Sequence, residues 1–455
     1  MPRRRRKAPK SSAPIQPQLV QGPVTIERFA HGGYGVGYLD GLAVFVPRTA
    51  PGDVAEIRLV DQRRRYAFGE LVTLHDTSPW RVPPPCPYYD DCGGCHLQHL
   101  SYERQLALKR EQVGDSLTRI GKLTEVPVAP TLSSPHALGY RNKVLYHYDR
   151  QHKHLGLVSR HSGHILDLQT CLISDTRADV VMAKIRELAV AQPALHSVLH
   201  QVQVQVGQRT AEVLVTVIVE AAPPSSIQQT LWAHIQDLAT GLWMHVKTQE
   251  SPAVFNGTSS LIAGAEAIHE RIGPYRFRIE PQAFVQVNSA QMEQLYQWVQ
   301  DVSELEGREI ILDLYSGSGA LALLLAPRCR QVYAVEINRQ ASLIAEQQAS
   351  QLDIQNCEFR TGKVERILFR YIAQGIKADL AILDPPRAGC RPDALNALAM
   401  MRVPRLIYIS CSPPTLARDL ALLHRLGYQT TGVQPFDMFP QTYHIECVAT
   451  LRRTG

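Results

Sequence analysis

At 455 residues the chain exceeds what one ordinary hydrophobic core organises, so two to four domains are expected. Its 45% hydrophobic and 20% charged residues are those of a soluble globular protein. No apolar run is long enough to cross a bilayer, which excludes a membrane-spanning protein and makes the cytoplasm the expected location. The formal net charge of +6 sits in one place: residues 1–10 hold six Lys and Arg without an acid, and the remainder carries 42 residues of each sign.

The opening Met1-Pro2-Arg3-Arg4-Arg5-Arg6-Lys7 is not followed by an apolar stretch, so no secretory leader is expected. Residues 1–17 read as a basic disordered tail, either a nucleic-acid tether that gains from counterion release or a solvated terminus. Residues 18–76 break into short β-segments. Val24–Arg28, Ala43–Val46 and Asp53–Val60 are predicted strands, and His31-Gly32-Gly33-Tyr34-Gly35-Val36-Gly37 is a turn-rich passage. About five strands in roughly fifty residues predict a small barrel of the oligonucleotide-binding kind, with an ordinary hairpin as the alternative. Arg63, Arg64 and Arg65, with Tyr66 and Phe68, would give it a cationic, aromatic surface suited to RNA. The glycines do not form a nucleotide-binding loop, because no long strand leads from them into a helix.

Residues 77–100 carry Cys86, Cys92 and Cys95, and Cys171 lies far downstream. Nine cysteines in a cytosolic chain argue against a disulfide scaffold. Four thiolates satisfy either a [4Fe–4S] cluster or a structural zinc. A radical enzyme would leave one iron open and use three cysteines at tighter spacing, so a closed site is expected.

Residues 101–270 are expected to form an α+β domain: a helix from about Ser101 to Ile120, then antiparallel strands over 139–173 headed by Tyr140-Arg141-Asn142-Lys143-Val144. Alternation through Val202, Val204 and Val206, and then Val213 to Val219, marks further strands.

Over residues 271–455 the rhythm becomes apolar strands alternating with helices. Ile310–Leu314, Gln331–Ile337, Asp379–Leu383 and Arg405–Ile409 are predicted strands of a doubly wound, Rossmann-like parallel sheet with ligands at its carboxyl edge. After the first strand, Tyr315-Ser316-Gly317-Ser318-Gly319 lets backbone approach a ligand, and Glu336 at the second strand end suits ribose hydroxyls. A dinucleotide-binding dehydrogenase shares those features. The added acids Asp313 and Asp384, the latter in Asp384-Pro385-Pro386, favour a methyltransferase. In enzymes that methylate exocyclic amines an aromatic residue follows such a loop. Here Arg387 follows, so the chemistry is sought elsewhere.

The strand ending at Ile409 delivers Ser410-Cys411-Ser412-Pro413 to the active edge. A thiolate is needed where the target is C5 of a pyrimidine, because sulfur added at C6 converts the ring to an enolate whose C5 can take a methyl group. A base must then remove the C5 proton, and His444 and Glu446, just before the last strand, are the two candidates.

Ser410–Pro413, Asp384-Pro385-Pro386-Arg387-Ala388-Gly389, Phe439–Glu446 and Phe284-Val285-Gln286-Val287-Asn288 resemble the RNA uracil-5-methyltransferase family. With the cysteine group and the N-terminal barrel, a TRAM domain in that family, the likeness covers nearly the whole chain. It is nearest to the iron–sulfur branch, the 23S rRNA uracil-5-methyltransferases. The resemblance implies Cys411 as nucleophile and Glu446 as base, with His444 an orienting neighbour. It implies Gln286, Tyr315, Glu336 and Asp384 around S-adenosylmethionine, and a [4Fe–4S] cluster on Cys86, Cys92, Cys95 and Cys171. It also implies an RNA partner, 23S rRNA or alternatively tRNA, and a monomer. The chain departs from the family at Ala320 and Lys363, where Asn is frequent, and at Ser316, where Cys is common. Two other readings stand beside this one: an amino-group methyltransferase working through Asp384, and an RNA-binding assembly factor that keeps the fold.

Overall fold

A computed structural model describes residues 18–19, 23–248, 254–283 and 285–454; the basic tail of residues 1–17 and Phe284 lie outside them. The chain divides into two units, Met1–Pro83 with His96–Ser101, and Pro84–Cys95 with Tyr102–Gly455.

In the first unit, strands β2 (Val24–Ala30), β3 (Tyr34–Leu39), β4 (Leu42–Pro47), β6 (Tyr66–Asp76) and β5 (Val54–Gln62) pair in that order. β5 returns to β2, which closes a five-stranded barrel, and a short β1 (Gln18–Leu19) adds to the outside of β5. Closure leaves no free edge among these five. Val24, Ile26, Val44, Val46, Ala55, Ile57 and Ala67 fill the interior. One expectation is corrected here: of the four glycines in the turn-rich passage, Gly35 and Gly37 lie within β3. A side chain at Gly35 would strike Thr49 Oγ1 at 2.2 Å, and one at Gly37 would strike the Thr25 carbonyl at 2.4 Å. These residues serve close strand approach; the turn itself takes only His31–Gly33. Arg63, Arg64 and Arg65 are exposed on the β5–β6 turn, and Tyr66, Phe68, Phe45 and Tyr34 stack edge to face beside it.

The second unit holds two seven-stranded sheets. Helix α1 (Tyr102–Ser116) runs into a π-helical turn at Leu117–Gly121. The middle sheet comprises β7 (Lys143–Asp149), β8 (His154–Val158), β9 (Ile165–Asp167), β10 (Leu199–Val206), β11 (Val213–Val219), β12 (Gly241–Lys247) and β13 (Gly257–Gly264), ordered β13-β12-β11-β10-β7-β8-β9. All its pairings are antiparallel except β11–β12. Val144, Tyr146, Val202, Val204, Val215 and Val217 alternate onto one face, against α2 (Thr176–Ala191) and α4 (Ser225–Ile235), with the short α3 (Pro193–His196) after α2. A hairpin of β14 (Ile268–Ile272) and β15 (Tyr275–Ile279) follows.

The last sheet takes β16 (Ile310–Leu314), β17 (Gln331–Glu336), β18 (Cys357–Thr361), β19 (Leu380–Leu383), β20 (Arg405–Ser410), β21 (Tyr428–Phe436) and β22 (Glu446–Arg453) in the order β18-β17-β16-β19-β20-β22-β21. β16 to β20 are parallel, and β22 enters antiparallel between β20 and β21. Helices α5 (Ser289–Val302), α6 (Ala320–Leu325), α7 (Arg339–Gln351), α8 (Val364–Ala373), α9 (Pro392–Met400) and α10 (Pro413–Arg425) accompany it, and two buried apolar clusters involve its strands. The carboxyl ends of β16, β17, β19 and β20 therefore share one edge.

Candidate active site

Asp313 lies in β16, and the chain leaves that strand through Tyr315, held at φ 66°, with the amides of Tyr315 and Ser316 both donating to the Val335 carbonyl. Gly317 and Gly319 are also left-handed, at φ 55° and 78°. At Gly319 a side chain would meet Ala345 and the Phe359 ring below 3 Å, so the loop can lie flat against β18 and α7 only as glycine. Glu336, the last residue of β17, accepts the Gly317 amide on one oxygen (3.0 Å) and the Asn338 amide on the other (2.8 Å). Its carboxylate thus braces the loop and keeps lone pairs for a ligand. The next residue, Ile337, is 63% exposed, an apolar platform beside that acid.

Asp313 is 2% exposed, and its Oδ2 has no partner. Burial, then the charge of Asp384, pushes its carboxyl up to about 7. Asp384 follows β19, and burial raises it to about 6. A buried carboxylate oxygen without a partner, beside an open glycine loop, fits a ligand bearing an amine or hydroxyl. Tyr315 directs its phenol to Cys390. Gln286 is half-buried, and its carbonyl accepts from Asn142 Nδ2 (3.0 Å).

Cys411 and Glu446 come from neighbouring antiparallel strands. Ser410 pairs with Cys447, so one step further the register sets Cys411 opposite Glu446. Glu446 is the first residue of β22 rather than a loop residue before it, and it is 3% exposed. Burial and the nearby charge of Asp384 push its carboxyl well above the usual range, while Arg387 opposes them. Burial pushes the Cys411 thiol up to about 11; the charges of Glu446 and Asp384 add to this, and Arg387 favours the thiolate. Arg387 is thus the charge here that favours the ionised form of both Cys411 and Glu446. Its loop is held by α10: Thr415 Oγ1 donates to the Arg387 carbonyl (3.3 Å) and Arg418 to that of Ala388 (2.8 Å). His444 is half-buried with its ring against Tyr443 at 4.1 Å.

The four candidate metal ligands are free thiols. Cys86, Cys95 and Cys171 pack with Tyr89, Tyr140 and Ile173, and the thiol of Cys92 is raised first by burial and further by Cys171 and Cys86. Arg160 donates to the carbonyls of Cys92 (2.8 Å) and Cys95 (2.8 Å). Four cysteine thiols in one neighbourhood, two of them buried and two half-buried, are a donor set that suits either an iron–sulfur cluster or a structural zinc. Among the described residues no three His, Cys, Asp or Glu groups close to the spacing of a metal's ligand set.

The structure thus brings Cys411, Glu446 and Asp384 together, and sets Tyr315 and Glu336 about the glycine loop. Three site residues were not found from sequence. In the sequence Arg387 is a departure from an aromatic pattern and a member of the Asp384–Gly389 motif, with no role attached. Tyr296 of α5 has a phenol within reach of the charges of Asp384, Asp313 and Glu446. Ile337 carries a signal, an apolar residue directly after a strand-terminal acid.

This sheet and edge define a methyltransferase of the S-adenosylmethionine-dependent class. Residues 101–454 match the tRNA (uracil-5-)-methyltransferase family and residues 22–72 the TRAM domain. The chain is 36% identical over 454 residues to an uncharacterised RNA methyltransferase of Halalkalibacterium halodurans, covering 97% of this chain and 99% of that one. To another from Gloeobacter violaceus it is 35% identical, with the same coverage. Among solved structures, the Pyrococcus abyssi tRNA (uracil-54, C5)-methyltransferase in complex with S-adenosyl-L-homocysteine is similar with a TM-score of 0.75 and 26% identity, over 94% of this chain and all of that one. The chain belongs to the RNA uracil-5-methyltransferase family.

Proposed function

We propose that the enzyme moves a methyl group from S-adenosylmethionine to C5 of a specific uridine in 23S rRNA through a covalent bond to Cys411. The observation that carries this reading is the convergence of Cys411, one residue beyond the Ser410–Cys447 pair of β20 and β22, with Glu446 at the head of β22, close enough for the thiol to feel the carboxylate's charge. The Cys411 thiolate adds to C6, and the electrons of the C5–C6 double bond move toward the C4 carbonyl oxygen. C5 of this enolate attacks the sulfonium methyl, and S-adenosylhomocysteine leaves. Glu446 then takes the C5 proton, the C5–H electrons restore the double bond, and the C6–sulfur bond breaks to return the thiolate. Gln286, Tyr315, Glu336 and Asp384 would hold the cofactor, and the charge of Asp384 also reaches Glu446. His444 orients the site.

Domain roles follow: an RNA-binding barrel over residues 18–76, a cysteine segment over 77–100, a middle domain over 101–270 that also meets RNA, and the catalytic domain over 271–455. Cys86, Cys92, Cys95 and Cys171 would hold a [4Fe–4S] cluster, which supplies a rigid cross-link rather than redox chemistry. The working form is a cytoplasmic monomer. The name of the Pyrococcus abyssi protein favours a second substrate, tRNA, for the same reaction.

RNA containing 5-fluorouridine tests the central step, because fluorine cannot leave as a proton does. With S-adenosylmethionine it should give a protein–RNA adduct stable to denaturing electrophoresis, absent from Cys411→Ala. An undiminished adduct in that variant would move the nucleophile elsewhere. Mapping 5-methyluridine in rRNA and tRNA from a deletion strain decides the substrate. Anaerobically purified protein should be brown with about four irons; stoichiometric zinc in colourless protein would sink the cluster.

A further inference from the structure

The turn at Met438–Gln441, which leads from β21 toward Glu446, is held from outside at every step. Asn288 Nδ2 donates to the Met438 carbonyl (3.2 Å), Lys109 Nζ to that of Phe439 (3.1 Å), and Tyr140 Oη to that of Pro440 (3.0 Å). Gln105 Oε1 accepts the Gln441 amide (3.1 Å), and its Nε2 donates back to Gln441 Oε1 (3.0 Å). Four consecutive residues thus meet four side chains, from α1, from the segment ahead of β7, and from the cap of α5. All four side chains are buried. Lys109 also pairs with the buried Asp437, so its charge is compensated where it stands.

The turn requires such restraint. Gln441 sits at φ 68°, a left-handed conformation that a side chain disfavours and that persists only when the surroundings over-determine it. Asn288 spends its oxygen capping α5 at the Gln291 amide and its nitrogen on Met438 and Ser134. Tyr140 shares its buried surroundings with Cys86, Cys95 and Cys171, so packing around the thiols fixes where its hydroxyl lies.

We infer that Gln105, Lys109, Tyr140 and Asn288 are positioning residues that clamp this turn and so set Glu446 for proton removal, with Tyr140 tying the clamp to the thiol group. The inference rests on Glu446 being the base. Cys411 and the glycine loop are delivered by other strands, so a loosened clamp slows release of the product more than attack or methyl transfer.

Tyr140→Phe and Gln105→Leu test this in the full chain, with Glu446→Gln run in parallel. Turnover should fall about tenfold, the cost of a small misplacement. KM for RNA and for S-adenosylmethionine should hold within about twofold, and metal content should match the unsubstituted protein. Methylated RNA should accumulate on the enzyme in denaturing gels, as in Glu446→Gln. Accumulation in Glu446→Gln alone overturns the clamp and leaves the base in place; accumulation in none of the variants overturns both. Unchanged turnover, raised KM without accumulation, or loss of metal from Tyr140→Phe also overturns the clamp.

Discussion

The two seven-stranded sheets of the second unit are of equal strand number and carry different duties. In the middle sheet every pairing but β11–β12 is antiparallel, so strand ends of both kinds fall on each edge. In the catalytic sheet five parallel strands deliver their carboxyl ends to one edge, and with them Asp313, Glu336, Asp384 and Cys411. Crowded, desolvated acids raise one another's proton affinity, which is why the upward shifts of Asp313, Asp384 and Glu446 gather there. The lesson is that parallel order concentrates function, whereas the antiparallel sheet, with an apolar face built from alternating valines, is a scaffold.

Substitutions can break that contrast. The largest effect on turnover is expected from Cys411→Ala, which should bring methylation to assay background while S-adenosylmethionine still binds; calorimetry of cofactor binding checks the second half. Glu446→Gln should slow turnover by about 10²–10⁴-fold and leave methylated RNA attached to the enzyme. His444→Ala should slow the reaction without trapping it, and the reverse pattern would make the histidine the base. Next comes Arg387→Ala. Only the thiolate attacks and only the carboxylate accepts a proton, and both groups are shifted upward, so kcat/KM should rise with pH from neutral into the alkaline range. Removing Arg387 takes away the charge favouring both ionised forms, so the rise should move to higher pH; a profile that stays in place would remove Arg387 from the site. The smallest effect belongs to the scaffold sheet. Met244→Ala in β12, at 1% exposure, should cost about 2–5 kcal/mol of stability by denaturant titration and leave kcat/KM per folded molecule unchanged.

What could be read in the sequence follows the same division. Asp313, Glu336, Asp384 and Cys411 were legible because each ends or closely follows an apolar run at a recognisable place in an alternating strand–helix pattern. Glu446 was legible as a candidate, though its burial at the head of β22 was not, since β22 alone does not announce what it inserts between. Arg387 and Tyr296 meet the site's charged groups only through other strands and helices, and linear spacing holds no trace of that. The side chains that hold Met438–Gln441 are more remote still: Gln105 meets Gln441 across 336 residues. The misread glycines of β3 have a simpler cause. Glycine in sequence signals a turn or a close approach equally, and only Thr49 and Thr25 decide between them.

The position of β22 bears on how the enzyme is made. Both of its neighbours, β20 and β21, precede it in the chain, so it must slot between strands synthesised before it. Until then β20 and β21 lack the partner that joins them, and Cys411 stands without Glu446. The pairing with β21 is local, whereas that with β20 spans α10 and β21 and so costs more chain entropy to close. On the proposed mechanism, a sheet without β22 would hold the nucleophile and lack its means of release, so completing the sheet would also complete the catalyst.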